Sequence, residues 1–304
     1  MAAHRYIYVN AFAEDPFGGN PCMVFFEADD LDEETRLKIT RESRLSECAF
    51  LQKPASDADF AVRYYLASGP IPMAGHPTVA TGIALIEAGM VRPGDSFRLE
   101  VGAGVMPVET RAGEGGRPPV VTMTQFAPKF GESFDPGEVA AIYGLAAEDF
   151  FAPPQAVGTG NMQLLAPLRS REALRRAKLD PEAAARLHAA HPGLTYGDAF
   201  LFVLGGETPE GRTFARLPLA PPNPPEDPFT GSATGAMACW LWRNGYLDSP
   251  RFVAEQGHWM GRPGRAEVEV LGPREAISGV KVGGPGVALM RGEIAFRTQS
   301  GSSA

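Results

Sequence analysis

The sequence predicts an α+β protein of two related halves, each folded around one central apolar helix. Residues 226–245, EDPFTGSATGAMACWLWRNG, open with an acid and a proline, pass through small and hydroxyl residues, and continue as an apolar run. Residues 73–89, MAGHPTVATGIALIEAG, repeat this order. A helix that lacks charges over most of its length is buried on nearly all sides. Most other segments read as strands in hairpins, so we expect each helix to be surrounded by strands.

The internal repeat extends beyond these two helices. Superposing Gly75 on Gly231 places His76 on Ser232, and the glycine that closes each stretch falls at the same spacing. Downstream, FRLEVG at residues 97–102 returns as FVAEQG at residues 252–257. A repeat with a period of about 156 residues indicates two related domains.

Composition limits the classes of protein and partner. A chain of 304 residues has room for two domains, and its 44% apolar and 21% charged residues are typical of soluble globular proteins. The net charge of −8 and the absence of a basic run argue against nucleic acid or an anionic membrane as the main partner. Without a long apolar stretch or a signal peptide, we expect a cytoplasmic protein.

Three cysteines, Cys22, Cys48 and Cys239, show neither CxxC nor Cys/His spacing. The sequence therefore predicts neither a disulfide framework nor a zinc site. We interpret Cys22 and Cys239 as small core residues.

The first half opens with a predicted hairpin whose turn is DPFGGNP at residues 15–21, followed by an amphipathic helix over 30–43. Glu47 lies where this helix gives way to a strand that begins near Ala49. The first-half segments that read as strands are 6–13, 22–28, the run from about 49, 60–66, 96–101, 105–110 and 120–123.

The stretch AGEGGRPP at residues 112–119 is the best candidate boundary between the halves. We therefore predict domains at 1–118 and 119–304, with the last strand packing back on the first domain. Helices are expected at 138–143 and 171–188, and loops at 67–72 and 157–163 are expected to form cleft walls. Second-half strands are predicted at 200–204, 213–217, 268–271 and 287–296.

Two buried helices of a two-fold repeat are expected to bring their amino ends together at the domain interface. Their free N–H groups and dipoles would bind an anionic small molecule there. Near these ends the sequence offers Glu47, His76, Asp227 and Ser232. A structural explanation exists for each, because Asp227 and Ser232 fit helix caps, His76 fits a core histidine and Glu47 fits a solvent-facing residue.

Taken together, six strings give the chain a specific resemblance to the phenazine-biosynthesis PhzF-like family. They are DPFGGNPCMVF (15–25), RLSECAF (44–50), MAGHPTVAT (73–81), EDPFTGSATGAMACWL (226–241), EQGHWMGRPG (255–264) and VKVGGPGVALMRGEI (280–294). The resemblance covers the whole chain in order. It implies a diaminopimelate epimerase-like fold, in which each domain is a curled antiparallel sheet around a central helix, and a homodimer without cofactor or metal.

The resemblance also implies roles for single residues. The family's proton-transferring glutamate falls on Glu47, its histidine on His76 and its aspartate on Asp227. In the characterised reaction the glutamate moves a proton between two carbons of a dihydro-hydroxyanthranilate, which is a small carboxylate. The positions implied to bind such a substrate are Asn20, Gly75, Gly231, Ser232 and Ala233.

Two departures affect this interpretation. Pro70 stands in the loop before the GHPT motif, where relatives often carry an acid, and this leaves substrate identity open. No cysteine lies at either helix start, which disfavours a racemase with two thiols, and Cys48 should face away from the cleft because neighbours in a strand point oppositely. A lyase or dehydratase, an epimerase acting on a hydroxy amino acid, and a non-catalytic carboxylate binder remain alternatives to the isomerase.

Overall fold

The computed structural model describes residues 2–194 and 198–296, which form a mixed α+β structure rich in strands. The α-helices are α1 Glu33–Ser43, α2 His76–Glu87, α3 Pro136–Tyr143, α4 Arg171–Arg176, α5 Pro181–Ala190 and α6 Gly231–Arg243. The strands are β1 Ala2–Ala11, β2 Asn20–Phe25, β3 Glu47–Gln52, β4 Phe60–Leu66, β5 Gly69–Ile71, β6 Ser96–Val101, β7 Gly104–Arg111, β8 Val120–Gln125, β9 Lys129–Ser133, β10 Gln155–Gly158, β11 Met162–Pro167, β12 Ala199–Leu204, β13 Gly211–Pro218, β14 Glu226–Asp227, β15 Arg251–Gln256, β16 Gly264–Leu271 and β17 Gly279–Phe296.

Strands of the first half close into a ring around α2. The order is β1, β2, β3, β4, β6, β7, β8 and then β17, which returns to β1. Every residue from 76 to 85 is buried, as expected for a segment without charged side chains before Glu87.

The second half repeats this arrangement around α6. Its ring runs β9, β10, β11, β12, β13, β15, β16 and β17, and it closes through β8, which pairs with β17 and precedes β9 in the chain. Parallel pairs fall at equivalent places in the two rings, β2–β3 against β11–β12 and β4–β6 against β13–β15. The predicted fold class is confirmed.

A pseudo-two-fold axis passes between β8 and β17. Met123 lies opposite Val282, and the two residues hold equivalent places in their rings, because Met123 pairs with Val108 of β7 and Val282 pairs with Val268 of β16. The repeated FxxE segments fall on β6 and β15. Their glutamates are equivalent too, since each accepts two backbone N–H groups of a hairpin turn: Glu100 from Ala55 and Ser56, Glu255 from Glu207 and Thr208.

Strand β17 belongs to both rings. Its residues 280–285 pair with β8, while residues 286–296 pair with β1. Strand β8 likewise pairs with β7 on one side and with β17 on the other. A division of the chain at 118/119 therefore stays a proposal. One hydrophobic core is continuous through both rings and includes side chains of both central helices.

The structure differs from three predicted elements. The loop expected at 67–72 contains strand β5, Gly69–Ile71, which pairs with β4. The single helix expected over 171–188 is interrupted after Arg176, because Asp180 accepts hydrogen bonds from the backbone of Glu182 and Ala183 and Pro181 starts a new helix. The loop expected at 157–163 is mostly the β10–β11 hairpin. None of the helices in the described part of the chain has the length and apolar character needed to span a bilayer.

Candidate active site

The amino ends of α2 and α6 meet backbone to backbone. A Cβ atom built on Gly75 would lie 2.3 Å from the backbone nitrogen of Ser232, and one on Gly231 would lie 3.1 Å from the Cα atom of Gly75. Only glycine allows this approach. The contact places His76 and Ser232, the residues that follow the two glycines, on either side of the junction between the two rings.

Asn20, the first residue of β2, links the side chains expected around this junction. Its Nδ2 atom lies 2.9 Å from His76 Nδ1, 2.8 Å from Asp227 Oδ1 and 2.8 Å from the carbonyl oxygen of Phe229. The amide has two hydrogens for three acceptors, so it shares them. Asn20 thereby ties the histidine of one ring to the carboxyl group of the other.

His76 is a neutral imidazole at neutral pH. Burial lowers its pKa to about 3, against a smaller opposite effect from the backbone of Pro21. His76 Nδ1 faces the Asn20 amide, and whether this nitrogen donates or accepts depends on the tautomer of the ring. His76 Nε2 is buried and has no hydrogen-bond partner among the described residues, so it is available for a hydrogen bond with a ligand.

Asp227 is held by donors on both oxygens. Thr230 Oγ1 donates to Oδ2 at 2.7 Å, and Asn20 donates to Oδ1. Burial raises the pKa of Asp227 to about 6, although these hydrogen bonds favour its charged form. Gln256 fixes the surrounding turn, because its Nε2 donates to the carbonyl oxygen of Asp227 and its Oε1 accepts from the backbone of Thr230.

Glu47 opens β3 and is only 8% exposed. Burial raises its pKa well above the ordinary 4.5, and the charge of Asp227 raises it further. Its Oε2 atom has no hydrogen-bond partner in the described part of the chain. Because Asp227 has donors on both oxygens, Asp227 ionises first and Glu47 keeps its proton to higher pH. Such a carboxyl can accept and return a proton near neutral pH.

The start of α6 provides a place for an anion. The first N–H groups of a helix have no partner within it, and here they belong to Gly231, Ser232 and Ala233. The start of α2 offers fewer, because Pro77 has no N–H. A ligand carboxylate is therefore better placed on α6, where the Ser232 hydroxyl adds a further donor.

The β10–β11 hairpin brings polar residues that the sequence analysis missed. Asn161 Nδ2 donates to the carbonyl oxygen of Met73, two residues before Gly75, as Asn20 donates to Phe229, two residues before Gly231. The repeated Gly-Asn at residues 19–20 and 160–161 could have revealed this pair. Two residues after Asn161, Gln163 Nε2 donates to Ser232 Oγ at 3.4 Å.

The EQGHWMGRPG motif contributes Arg262, which crosses between the rings. Its Nε donates to the carbonyl oxygen of Gly19 at 2.8 Å, and its Nη2 donates to Gly18 at 2.9 Å and to Asn10 Oδ1 at 2.8 Å. Arg262 thus holds the turn that ends at Asn20.

The thiols of Cys22 and Cys48 are both near Glu47, and burial raises the pKa of each. Cys48 packs with Phe25 and Phe50 on the face of β3 opposite to Glu47, and burial raises its pKa to about 11. Within residues 2–194 and 198–296, no three His, Cys, Asp or Glu side chains are grouped to hold a metal ion.

Comparisons with known proteins agree on one family. The family model described as phenazine biosynthesis-like protein, PhzC-PhzF, matches residues 9–292. The trans-2,3-dihydro-3-hydroxyanthranilate isomerase of Pseudomonas aeruginosa is 32% identical over 95% of this chain and 98% of its own. The crystal structure of a PhzF-family phenazine biosynthesis protein of Bacillus anthracis has 25% identity and a TM-score of 0.83, covering 97% and 100% of the two chains. A predicted epimerase of Pseudomonas aeruginosa has 29% identity and a TM-score of 0.81 over the same shares.

Proposed function

The chain is an isomerase of the phenazine biosynthesis-like family, and we propose that it moves a proton between two carbons of a small carboxylate. The substrate class is a cyclic or amino-acid-like carboxylate of the trans-2,3-dihydro-3-hydroxyanthranilate type, the compound in the name of the Pseudomonas relative. Glu47 is the general acid and base. The observation that carries this proposal is the enclosed Glu47 carboxyl, with an unpartnered oxygen beside the charge of Asp227.

In this reaction Glu47 in its ionised form removes a proton from one carbon. The electrons of the broken C–H bond shift the ring double bonds, and the same carboxyl returns a proton to a second carbon. Nothing is gained or lost overall, and no electrons leave the substrate, so no cofactor is needed. The carboxylate is held by Ser232 and the N–H groups that begin α6, while His76 Nε2 and Asp227 orient the amino and hydroxyl groups.

Solvent-deuterium exchange tests this proposal. Small carboxylates that raise the melting temperature are incubated with the protein in D2O and followed by NMR. We expect a shifted double bond with deuterium at the accepting carbon, and Glu47→Gln should reduce the rate by about 10²- to 10⁴-fold. The exposed Glu42→Gln is the matched control and should retain full activity.

Other outcomes identify the alternatives. Full turnover by Glu47→Gln would remove Glu47 from the mechanism. Loss of water instead of a shifted double bond would indicate a lyase, and exchange at a single carbon with inversion would indicate an epimerase. Binding without any exchange would indicate a carboxylate-binding protein. We also propose a homodimer, which light scattering coupled to size-exclusion chromatography tests directly.

A further inference from the structure

Gln163 is a buried polar side chain in an otherwise apolar position. It is only 1% exposed and lies on the inward face of β11, together with Leu165 and opposite Val157 of β10, both of which belong to the main hydrophobic core. At the equivalent position of the first ring stands Cys22, which lies opposite Val9 and is part of the same core. Packing alone is therefore satisfied by a small apolar residue at this position.

Only one end of the Gln163 amide has a hydrogen-bond partner among the described residues. Its Nε2 atom lies 3.4 Å from Ser232 Oγ, while Oε1 is buried without a hydrogen-bond partner among the described residues. An unpartnered buried carbonyl costs free energy, and buried polar groups in native proteins nearly always have a partner. A ligand seated at Ser232 supplies the missing donor, because the two ends of one amide are only two bonds apart.

The orientation of the amide indicates which ligand group it contacts. A carboxylate bound at the start of α6 repels Oε1 and attracts the N–H end, so Nε2 faces Ser232 and the carboxylate. The carbonyl end is then directed toward a substituent on the carbon adjacent to the carboxyl-bearing carbon. Only a donor such as an amino or hydroxyl group is favourable there.

We propose that Gln163 is a specificity-determining residue that selects carboxylates with an amino or hydroxyl group next to the carboxyl-bearing carbon. This inference rests on the proposed carboxylate site at α6 but not on Glu47 or on the outcome of catalysis. In the first ring Cys22 stands at this position and cannot make the same contact. The amino or hydroxyl group is therefore bound by the second ring.

Calorimetric titration with two stable probes tests the inference. Anthranilate carries an amino group beside the carboxyl-bearing carbon, and benzoate lacks it. We expect the protein to bind anthranilate more tightly, and Gln163→Met to weaken anthranilate by about 5- to 10-fold while changing benzoate by less than about 2-fold. The melting temperature should stay the same or rise, because Met fills the same space without an unpartnered amide.

Controls separate this role from a structural one. Gln52→Met, at the far end of β3 from Glu47, should change neither affinity. Gln163→Asn keeps the amide but withdraws it, and should lose the same discrimination between the probes. Equal weakening of both probes with a lower melting temperature would assign Gln163 to structure and overturn the inference, as would unchanged affinities in both variants. A wild-type protein that binds neither probe would contradict the carboxylate site itself, and with it the proposed function.

Discussion

Glu47 and Asp227 are two buried carboxyl groups that interact electrostatically, and their hydrogen bonds differ. Asp227 receives hydrogen bonds from Thr230 and Asn20, whereas Glu47 Oε2 has no partner among the described residues. A charge on Asp227 is therefore tolerated better than a charge on Glu47. This difference is the basis of the two roles proposed above, in which Asp227 orients the substrate and Glu47 exchanges a proton.

Replacing Glu47 should stabilise the protein above neutral pH. The folded-state pKa of Glu47 is raised, so its contribution to stability is complete below the ordinary value of 4.5 and is lost as pH rises through the raised pKa. Gln stays neutral throughout. We expect Glu47→Gln to melt at a higher temperature than wild type at about pH 9 and at the same temperature at about pH 4. If Glu47→Gln melted at a lower temperature than wild type at the higher pH, the ionised Glu47 would be stabilised in the folded protein, and its pKa would not be raised by burial.

Removing the charge of Asp227 should shift the pH dependence of activity. The acidic limb of kcat/KM reports the protonation of Glu47, whose pKa the negative Asp227 raises. Asp227→Asn should therefore move this limb to lower pH and also lower its plateau, because an orienting group is lost. The exposed Asp248→Asn is the control. A limb that stays in place or moves upward would contradict the coupling.

At the scale of elements, the contact between the starts of α2 and α6 determines how close the two rings can come. Gly75→Ala places a methyl group where only 2.3 Å separates it from the backbone of Ser232. The helix starts must separate, and we expect turnover to fall by at least about 10²-fold because the reacting groups are misplaced. Gly193→Ala, where no atom lies within 4 Å of the new methyl group, should be neutral. Near-normal activity of Gly75→Ala would show that the contact is not needed.

How well each element could be predicted depends on its local signal. The central helices were recognisable because they lack charges. Strand β11 was not, because nearly all of its residues are buried and it shows no alternation of apolar and polar residues. The break at Pro181 has a local signal, because Asp180 and Pro181 form the N-cap and first turn that begin a new helix. Among the site residues, Glu47, His76 and Asp227 lie in motifs, whereas the contact of Gln163 with Ser232 joins residues far apart in the chain and leaves no local pattern.

At the scale of the whole molecule, Arg262 joins the two rings and orders the site from outside it. Its hydrogen bonds hold the carbonyl groups of Gly18 and Gly19 and thereby the position of Asn20. We expect Arg262→Met to lower kcat by about 10- to 100-fold, because Asn20 then positions His76 and Asp227 less well. Arg251→Met, which removes an exposed ion pair with Glu269, should leave kcat unchanged.

The role of Arg262 is tested by measuring both kcat and the melting temperature of Arg262→Met. A positioning role predicts a lower kcat with a melting temperature close to that of wild type. A large fall in melting temperature with unchanged kcat in the remaining folded protein would instead make Arg262 a purely structural link.

The shared strand β17 has a consequence for biosynthesis. A nascent chain leaves the ribosome from its amino end, and domains generally fold as they emerge. Here β1 pairs with residues 286–296, so most of the first ring is synthesised long before its last strand is available. Until then β1 has an unpaired edge, which is a site for aggregation and for chaperone binding. The site around Glu47 is therefore complete only after strand β17 has left the ribosome.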